Sequence, residues 1–447
     1  MGISKLYQFL SDQSIQFVRI LWCDNANIIR GKAFHTAFLN EHEEYGISIS
    51  AAQQGVSALF DAVIPDSGLS PVGEAWLVPD WSTLNALPYA PGHARVMGDL
   101  FSQGQPWSLC PRIFLRRMIA AAEDMDLQVM SAFENEFYLL QPPETDGAVY
   151  PVDNTVFAST FGMDANCAVI NDIASALIAQ GIPVERYYAE SGPGQHEIAT
   201  RYTQALQSAD WQVAFRETVK GVAIHHNMRA SFLPKIFADH AGSGCHLHLS
   251  LWRDRTNLIP SDVESGQLSE TAQHFVAGIL AHLPALMAIT TPSANSYRRL
   301  QPHFWSGAYR CWGYDNREAA VRIPSNPYPP SPTHVELKTV DASSNPYLAL
   351  GAVIAAGLDG IHQKMKLAKP VTVDPGYLLN DQRQKQGVDR LPENLGEAIA
   401  QLSGDEILLN ALGADLAKAF IAVRKAEWEK LKGLKLDQEV DMLLERY

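Results

Sequence analysis

The 447-residue sequence is poor in cysteine, in positive charge and in long apolar segments, and each shortage excludes a class of protein. Its five cysteines are an odd number and lack the short paired spacings of a zinc ribbon or a disulfide scaffold. Lys and Arg together number 35 against 49 Asp and Glu, so the formal net charge is −14. Nucleic acids bind to cationic surfaces. We therefore expect a protein of the reducing cytoplasm that binds no nucleic acid.

Membrane association is also disfavoured by the sequence. The longest apolar run covers residues 348–358, far short of the ~20 residues that span a bilayer. Residues 1–12 lack the apolar core of a signal peptide. Hydrophobic residues make up 47% and charged residues 19% of the chain, which is typical of a folded soluble protein with a large core.

The chain divides into two predicted domains of unequal size. Residues 64–107 are rich in proline and glycine, which disfavours helix and marks a boundary near Trp107. In the first domain, residues 1–107, the alternating pattern of residues 14–33 predicts a hairpin. In the second, residues 108–447, strand-like segments alternate with helical ones, the first helix beginning at Pro111. The predicted fold class is α+β.

Paired carboxylates are the first candidate functional residues. Glu134 and Glu136 are two apart in a strand-like segment, so they point to the same face. A shared proton or a divalent metal relieves the repulsion between such neighbours, although a solvated surface strand also explains the pair. Glu190 and Glu197 flank a Gly-Pro-Gly turn that can fold them toward one point, and a plain hairpin explains this segment equally well.

Histidines on a second strand point to the same chemistry. His246, His248 and Ser250 share one face of a strand whose other face carries leucines. Glu336 and Lys338 likewise share a strand face. Several carboxylates with imidazole suit Mg²⁺ or Mn²⁺ better than zinc, which prefers closed nitrogen and sulfur sites. We therefore predict a site for two or more such ions.

Arginines are clustered in this acidic chain. Five of them fall between positions 298 and 322: Arg298, Arg299, Arg310, Arg317 and Arg322. Guanidinium groups opposite carboxylates and metals describe a pocket for phosphate and carboxylate groups, whereas salt bridges on a surface loop remain the alternative. A metal-dependent hydrolase would explain the paired Glu and His residues, but it leaves the arginines without a role.

The order and spacing of these segments resemble the glutamine synthetase superfamily over nearly the whole chain. The matching segments are Glu134–Glu136, Glu190–Glu197, Pro234–Lys235 with Gly242–His246, Asn295–Arg299, Asn316–Arg317 with Val321–Pro324, Glu336 and Asn345–Tyr347. The resemblance implies a small N-terminal β-grasp domain and a larger catalytic domain of antiparallel strands and helices. It also implies a ring-shaped homo-oligomer, usually a dodecamer in bacteria, with active sites between neighbouring subunits.

The resemblance further implies a role for individual residues. The implied metal ligands are Glu136, Glu190 and Glu197 for the ion on the substrate side and Glu134, His246 and Glu336 for the ion on the nucleotide side. The implied ATP-binding residues are His248, Ser250, Arg317 and Arg322. The implied catalytic residues are Arg299, Arg317 and Arg322, and the implied substrate-binding residues are Gly242, Arg299, Trp305 and Lys338. The implied reaction is ATP-dependent activation of glutamate, or a similar acid, followed by amide formation.

This chain departs from the family pattern at positions where the resemblance places the substrates, above all the ammonia or amine that accepts the acyl group. Ammonia-using members carry a flap glutamate six positions after Arg299, where this chain has Trp305, and an aspartate from the neighbouring subunit, where this chain has Ser50. Ala241 and Lys338 replace an asparagine and an arginine, and lysine cannot reproduce a bidentate arginine contact. A tryptophan suits an organic amine that packs on its ring.

We therefore predict a ligase that forms a γ-glutamyl amide with an organic amine through a γ-glutamyl phosphate. A true glutamine synthetase is the nearest alternative, because another residue could supply the missing anion. A catalytically silent structural or regulatory homologue is a further alternative, which the complete set of six metal ligands disfavours.

Overall fold

The chain forms two β-sheets, each accompanied by helices, in a computed structural model that describes residues 2–143 and 147–447. Both sheets are mainly antiparallel, and each contains one parallel pair of strands. The predicted α+β fold class is therefore confirmed.

The smaller sheet is built from the N-terminal part of the chain in the order β2-β1-β5-β4-β3, with β6 paired to β5. Its strands are β1 (Phe17–Cys23), β2 (Ile29–His35), β3 (Ile47–Ser50), β4 (Glu74–Ala86), β5 (His93–Ser102) and β6 (Gln105–Pro106). Strands β1 and β2 form the predicted hairpin. The helices of this part are α1 (Ile3–Asp12) and α2 (Leu39–His42).

The larger sheet has the order β17-β14-β15-β16-β12-β7-β9-β8, with β10 and β11 paired to β7 and β13 paired to β12. Its strands are β7 (Gln128–Leu140), β8 (Val184–Ala189), β9 (Gln195–Thr200), β10 (Thr203–Gln204), β11 (Arg229–Ser231), β12 (Cys245–Arg253), β13 (Thr256–Asn257), β14 (Tyr309–Tyr314), β15 (Ala319–Ile323), β16 (Val335–Leu337) and β17 (Asp389–Arg390). The pair β14 and β15 runs parallel, which departs from the antiparallel expectation.

Helices cover the larger sheet and form the C-terminal part of the chain. They are α3 (Pro111–Glu123), α4 (Thr160–Ala165), α5 (Cys167–Ala179), α6 (Ala205–His225), α7 (Glu270–Thr290), α8 (Ser296–Arg299), α9 (Pro346–His362), α10 (Asn380–Gln386), α11 (Leu395–Ser403), α12 (Glu406–Leu412), α13 (Ala414–Leu431) and α14 (Leu436–Leu443). Helix α6 is 21 residues long and buried on several sides, and its apolar pattern is not a single stripe.

Among the described residues, α7 is long and apolar enough to span a membrane by length and composition alone. Its apolar window is 67% buried inside the fold, and the helix packs against α9. Core helices of this kind are hydrophobic all round because protein surrounds them. The apolarity of α7 is thus accounted for by its place in the core.

A buried arginine joins the smaller sheet to helices α3 and α6. Arg112 on α3 makes a two-pronged ion pair with Asp210 on α6, at 2.9 and 2.8 Å. Its remaining donors reach Asp99 on β5 at 3.0 Å and Asp80 on β4 at 2.9 Å. The Arg112 side chain is only 3% exposed. Three carboxylates from different elements therefore share this one buried guanidinium group.

We expect Arg112→Met to lower the free energy of unfolding by about 3–5 kcal/mol, because it leaves several carboxylates partly buried without their cation. Chemical denaturation measures the change. The matched control is Arg116→Met, since Arg116 also pairs with Asp80 and Asp99 but its side chain is 41% exposed. The control is expected to cost about 1 kcal/mol or less, and equal losses in the two variants would contradict the assignment.

Candidate active site

Neighbouring strands of the larger sheet place the predicted metal ligands on one face through their register. His246 of β12 lies opposite Glu134 of β7, and Glu197 of β9 lies opposite Glu136 of β7. On the other side of β12, Glu336 of β16 pairs with Arg322 of β15. Residues directly opposite each other on one sheet face have Cβ atoms about 4.5–5.5 Å apart. The pairing of these strands thus brings residues from four separate sequence motifs into one cluster.

This cluster lines a cavity of about 380 Å³. Twelve of the fourteen predicted site residues line it: Glu134, Glu136, Glu190, Glu197, Gly242, His246, Arg299, Trp305, Arg317, Arg322, Glu336 and Lys338. The lining also includes Arg298 of the predicted arginine cluster and residues that the sequence analysis did not predict, among them Phe157, Arg186, Tyr188, Lys235 and Phe304.

The two remaining predicted residues, His248 and Ser250, lie behind the cavity lining. His248 Nε2 is 3.3 Å from Glu134 Oε2, and its ring lies 5.1 Å from that of His334. Ser250 is buried, and its Oγ accepts a hydrogen bond from Trp252 Nε1 at 2.8 Å. His248 therefore contacts the cluster through Glu134, whereas the described contacts of Ser250 point elsewhere.

On one side of the cluster the carboxylates are compensated by cations. His246 Nδ1 lies 3.0 Å from Glu134 Oε1 and 3.3 Å from Glu336 Oε1. Burial raises the pKa of Glu134, but hydrogen bonds with His246 and His248 outweigh it and hold that pKa well below its ordinary value. Burial opposes ionisation of Glu336 too, yet Lys338 and His246 lower its pKa. Both carboxylates are therefore ionised at neutral pH.

On the other side the carboxylates lack such partners. Burial, with the charges of Glu134 and Glu136, raises the pKa of Glu197 to about 9, and its Oε1 is buried without a hydrogen-bond partner. Burial and the charge of Glu136 raise the pKa of Glu190 to about 7. Glu136 Oε2 accepts a hydrogen bond from the backbone N–H of Gly244 at 2.8 Å. Crowded, under-compensated oxygens of this kind are suited to a hard divalent cation.

Two groups of potential ligand atoms are close enough to share an ion. Atoms of Glu134, Glu136 and His246 lie within 4.8 Å of one another, and so do atoms of Glu134, His248 and Glu336. Glu134 belongs to both groups, which places it between two candidate ion positions. The donors are oxygens and imidazole nitrogens, in agreement with the expected Mg²⁺ or Mn²⁺.

The clustered arginines separate in the structure. Arg322 Nε lies 2.7 Å from Glu336 Oε2, so it closes one side of the carboxylate cluster. Arg299 is buried, donates to the Val340 carbonyl at 3.1 Å and leaves its Nε without a hydrogen-bond partner. Arg310 instead pairs with Asp389 of β17 and does not line the cavity. The sequence grouping was therefore wrong for Arg310, because none of the residues of β14 lines the cavity.

Aromatic side chains form the outer part of the cavity. Trp305 and Phe304 are 58% and 67% exposed, and the Phe157 ring lies 5.8 Å from that of Tyr188. The Tyr188 hydroxyl also hydrogen-bonds the Glu197 carboxylate. Tyr188 lies directly opposite Glu197 in the ladder of β8 and β9, a pairing that strand periodicity alone does not predict. Phe157 lies in an irregular segment, where no periodicity indicates a direction.

Comparison with known proteins gives matches over nearly the full length. Residues 3–107 match the family described as glutamine synthetase N-terminal domain, and residues 108–443 match glutamine synthetase, catalytic domain. Type-1 glutamine synthetase 1 of Dictyostelium discoideum is 35% identical, with 97% of this chain and 90% of the relative covered. Gamma-glutamylpolyamine synthetase GlnA3 of Streptomyces coelicolor is 36% identical, with 95% and 92% covered.

A solved structure shares the whole fold. The GmaS/ADP complex in its conformation 1 superposes with a TM-score of 0.85 at 30% sequence identity, over 98% of this chain and 99% of that chain. Family, relatives and structure agree with the resemblance inferred from the motifs. The chain belongs to the glutamine synthetase family, and it has the fold of that family's ATP-dependent ligases, which form C–N bonds.

Proposed function

We propose that this ligase joins an organic amine to the γ-carboxyl group of glutamate, or of a similar acid, at the expense of ATP. The observation that carries the proposal is Trp305, which lines the cavity at the position where ammonia-using members have a glutamate. Phe304 and Phe157 add two more aromatic rings to the same cavity. Aromatic faces attract both the apolar chain and the cationic group of an amine. One similar protein is named for γ-glutamylpolyamine synthesis, which supports this choice.

In the proposed reaction the acid's carboxylate oxygen attacks the γ-phosphorus of ATP, and ADP leaves. The lone pair of the amine then attacks the acyl carbon, phosphate leaves, and the amine nitrogen loses a proton. Arg317 and Arg322 would neutralise charge on the transferred phosphoryl group, and Arg299 would hold the carboxylate of the amino-acid substrate. Arg322 must then exchange its contact with Glu336 for one with phosphate.

Divalent ions are the proposed cofactors of both steps. Glu136, Glu190 and Glu197 would hold one ion, and a second would lie among Glu134, His246 and Glu336. Bound there, Mg²⁺ or Mn²⁺ would neutralise the phosphate groups of ATP and align them with the acid. Gly242 and Lys338 border the cavity near Arg299 and are the proposed contacts of the acid's remaining polar groups, while His248 and Ser250 are proposed to lie on the nucleotide side.

We further propose a cytoplasmic homo-oligomer of the ring type, as implied by the family.

Ammonia as the acceptor is the second candidate, and one observation favours it. Ser50, which replaces the expected aspartate, lies directly opposite Glu74 in the ladder of β3 and β4. In this second candidate, Glu74 would supply the anion to a neighbouring subunit's site.

We expect Mg²⁺ to raise the melting temperature more at pH 8.5 than at pH 6. The raised pKa values of Glu190 and Glu197 mean that protons compete with the ion. Without metal, stability should fall as pH rises from about 5 to 9, because these groups hold protons in the folded state that the unfolded chain has already lost. Thermal unfolding with and without Mg²⁺ measures both effects. Glu197→Gln should flatten the metal-free profile, whereas an equal Mg²⁺ effect at both pH values would be inconsistent with this site.

The acceptor is tested by incubating the protein with ATP, Mg²⁺, glutamate and either ammonia or a panel of mono-, di- and polyamines. We expect kcat/KM to be higher for an organic amine than for ammonia. Glutamate labelled with ¹⁸O in its γ-carboxyl group should transfer label to phosphate, which a hydrolase acting on ATP alone would not do. Ammonia as the best acceptor would overturn the proposal, and absence of ADP formation with every acceptor would indicate a silent homologue.

Trp305→Glu restores the acid that ammonia-using relatives have at this position. We expect kcat/KM for the best amine to fall about tenfold, in line with the loss of one good apolar contact, and the ratio of ammonia to amine use to rise. Tyr7→Glu, on the exposed side of α1, is the control for adding a carboxylate in place of an aromatic residue. An unchanged acceptor ratio in the Trp305 variant would mean that this side chain does not select the acceptor.

A further inference from the structure

The two aromatic side chains of the loop formed by residues 301–307 lie largely outside the packed core. Its two aromatic residues, Phe304 and Trp305, are each more than half exposed. Yet the backbone adopts a specific conformation, because His303, Trp305 and Gly307 have φ values of +66°, +55° and +77°. The left-handed region is disfavoured for residues other than glycine. Hydrogen bonds to the backbone, together with the contact of the His303 ring with Asp374 at 2.7 Å, maintain this loop, which we name the acceptor loop.

The ends of the acceptor loop are anchored by one residue. Arg390 of β17 donates hydrogen bonds to the carbonyls of Leu300, at 3.1 Å, and of Ala308. Inside the loop, Ser306 Oγ donates to the Gln301 carbonyl at 2.7 Å. These contacts close the base of the loop, but they do not reach the N–H of Trp305.

The tip of the acceptor loop is held by a buried carboxylate. Glu318 Oε1 accepts a hydrogen bond from the backbone N–H of Trp305 at 2.6 Å, and the backbone of His303 hydrogen-bonds the same carboxylate. Residues that alternate between right- and left-handed conformations point their N–H groups at a common anion, a motif known as a nest. Here the anion belongs to the protein itself. Glu318 is only 7% exposed, and its Oε2 is buried without a hydrogen-bond partner.

Glu318 is also the sequence neighbour of Arg317. The turn between β14 and β15 therefore presents Arg317 to the cavity and, one residue later, fastens the acceptor loop. We propose that Glu318 is a positioning residue that fixes Trp305 relative to the arginine proposed to act on the phosphoryl group, and thereby determines acceptor selectivity. The second half of this inference rests on the proposed function, since it assumes that Trp305 contacts the acceptor.

The test compares Glu318→Ala with Glu318→Gln, because the glutamine amide keeps an oxygen that can accept the Trp305 N–H. Protein labelled with 5-fluorotryptophan is observed by ¹⁹F NMR, and the Trp305 resonance is assigned with Trp305→Phe. We expect the resonance to shift or broaden in the alanine variant and to stay near its original position in the glutamine variant. The matched control is Asp315→Ala, since Asp315 lies in the same turn but bonds Ser325 and not the acceptor loop.

The kinetic readout separates positioning from general damage. In Glu318→Ala the KM for the acceptor should rise at least fivefold while the KM for ATP stays within twofold, and Glu318→Gln should restore the acceptor KM. If the alanine variant does not fold, Glu318→Asp, which withdraws the carboxylate by one methylene, takes its place.

An unmoved Trp305 resonance in the Glu318→Ala variant would overturn the inference, as would an equal rise of both KM values in proportion to lost thermal stability. The NMR arm does not depend on the identity of the acceptor. If ammonia proves to be the best acceptor and the resonance still moves, then positioning stands and the proposed function fails. If an amine is the best acceptor and the resonance does not move, then the proposed function stands and the role of Glu318 is rejected.

Discussion

The crowding of carboxylates on one face of a buried sheet is the constraint on which the rest of the site depends. Strand register holds Glu134, Glu136 and Glu197 close together, and Glu190 directly follows the end of β8 beside them. Burial in low dielectric and mutual repulsion both oppose their ionisation. The fold tolerates the cluster because cations enter from one side and because protons, or metal ions, can occupy the other.

The two sides of the cavity solve this problem differently. Around Glu134 and Glu336 the protein supplies its own positive groups, His246, Arg322 and Lys338, within hydrogen-bond or ion-pair distance. Around Glu197 it supplies only a tyrosine hydroxyl and leaves one oxygen unpaired. The first side is electrostatically complete without a ligand, whereas the second gains most from an added cation. The aromatic side chains of the outer cavity, Phe157, Phe304 and Trp305, add no charge and offer a ligand dispersion and cation–π contacts.

Local patterns predicted the parts of the site that depend on strand periodicity. Spacing by two residues put Glu134 with Glu136 on one face, and the motif order led to the family, the two-part fold and Trp305. Contacts across the sheet were beyond such patterns, because register is set by tertiary pairing. Thus Arg310 was grouped with the cavity although β14 turns it toward Asp389. Glu318 gave no signal, because its partner is a backbone N–H whose direction depends on φ angles of the acceptor loop.

Arg390 holds both ends of the acceptor loop, and this affects which substitutions the loop can accept during evolution. Because the same guanidinium group binds the carbonyls just before and just after the loop, both junctions of the loop are held through the backbone of its flanking residues. Substitutions inside residues 301–307 can therefore alter the surface offered to a nucleophile without disturbing the strands that carry the carboxylates and arginines. Such an arrangement allows one phosphate-activating scaffold to diversify its products by exchanging a short peptide segment.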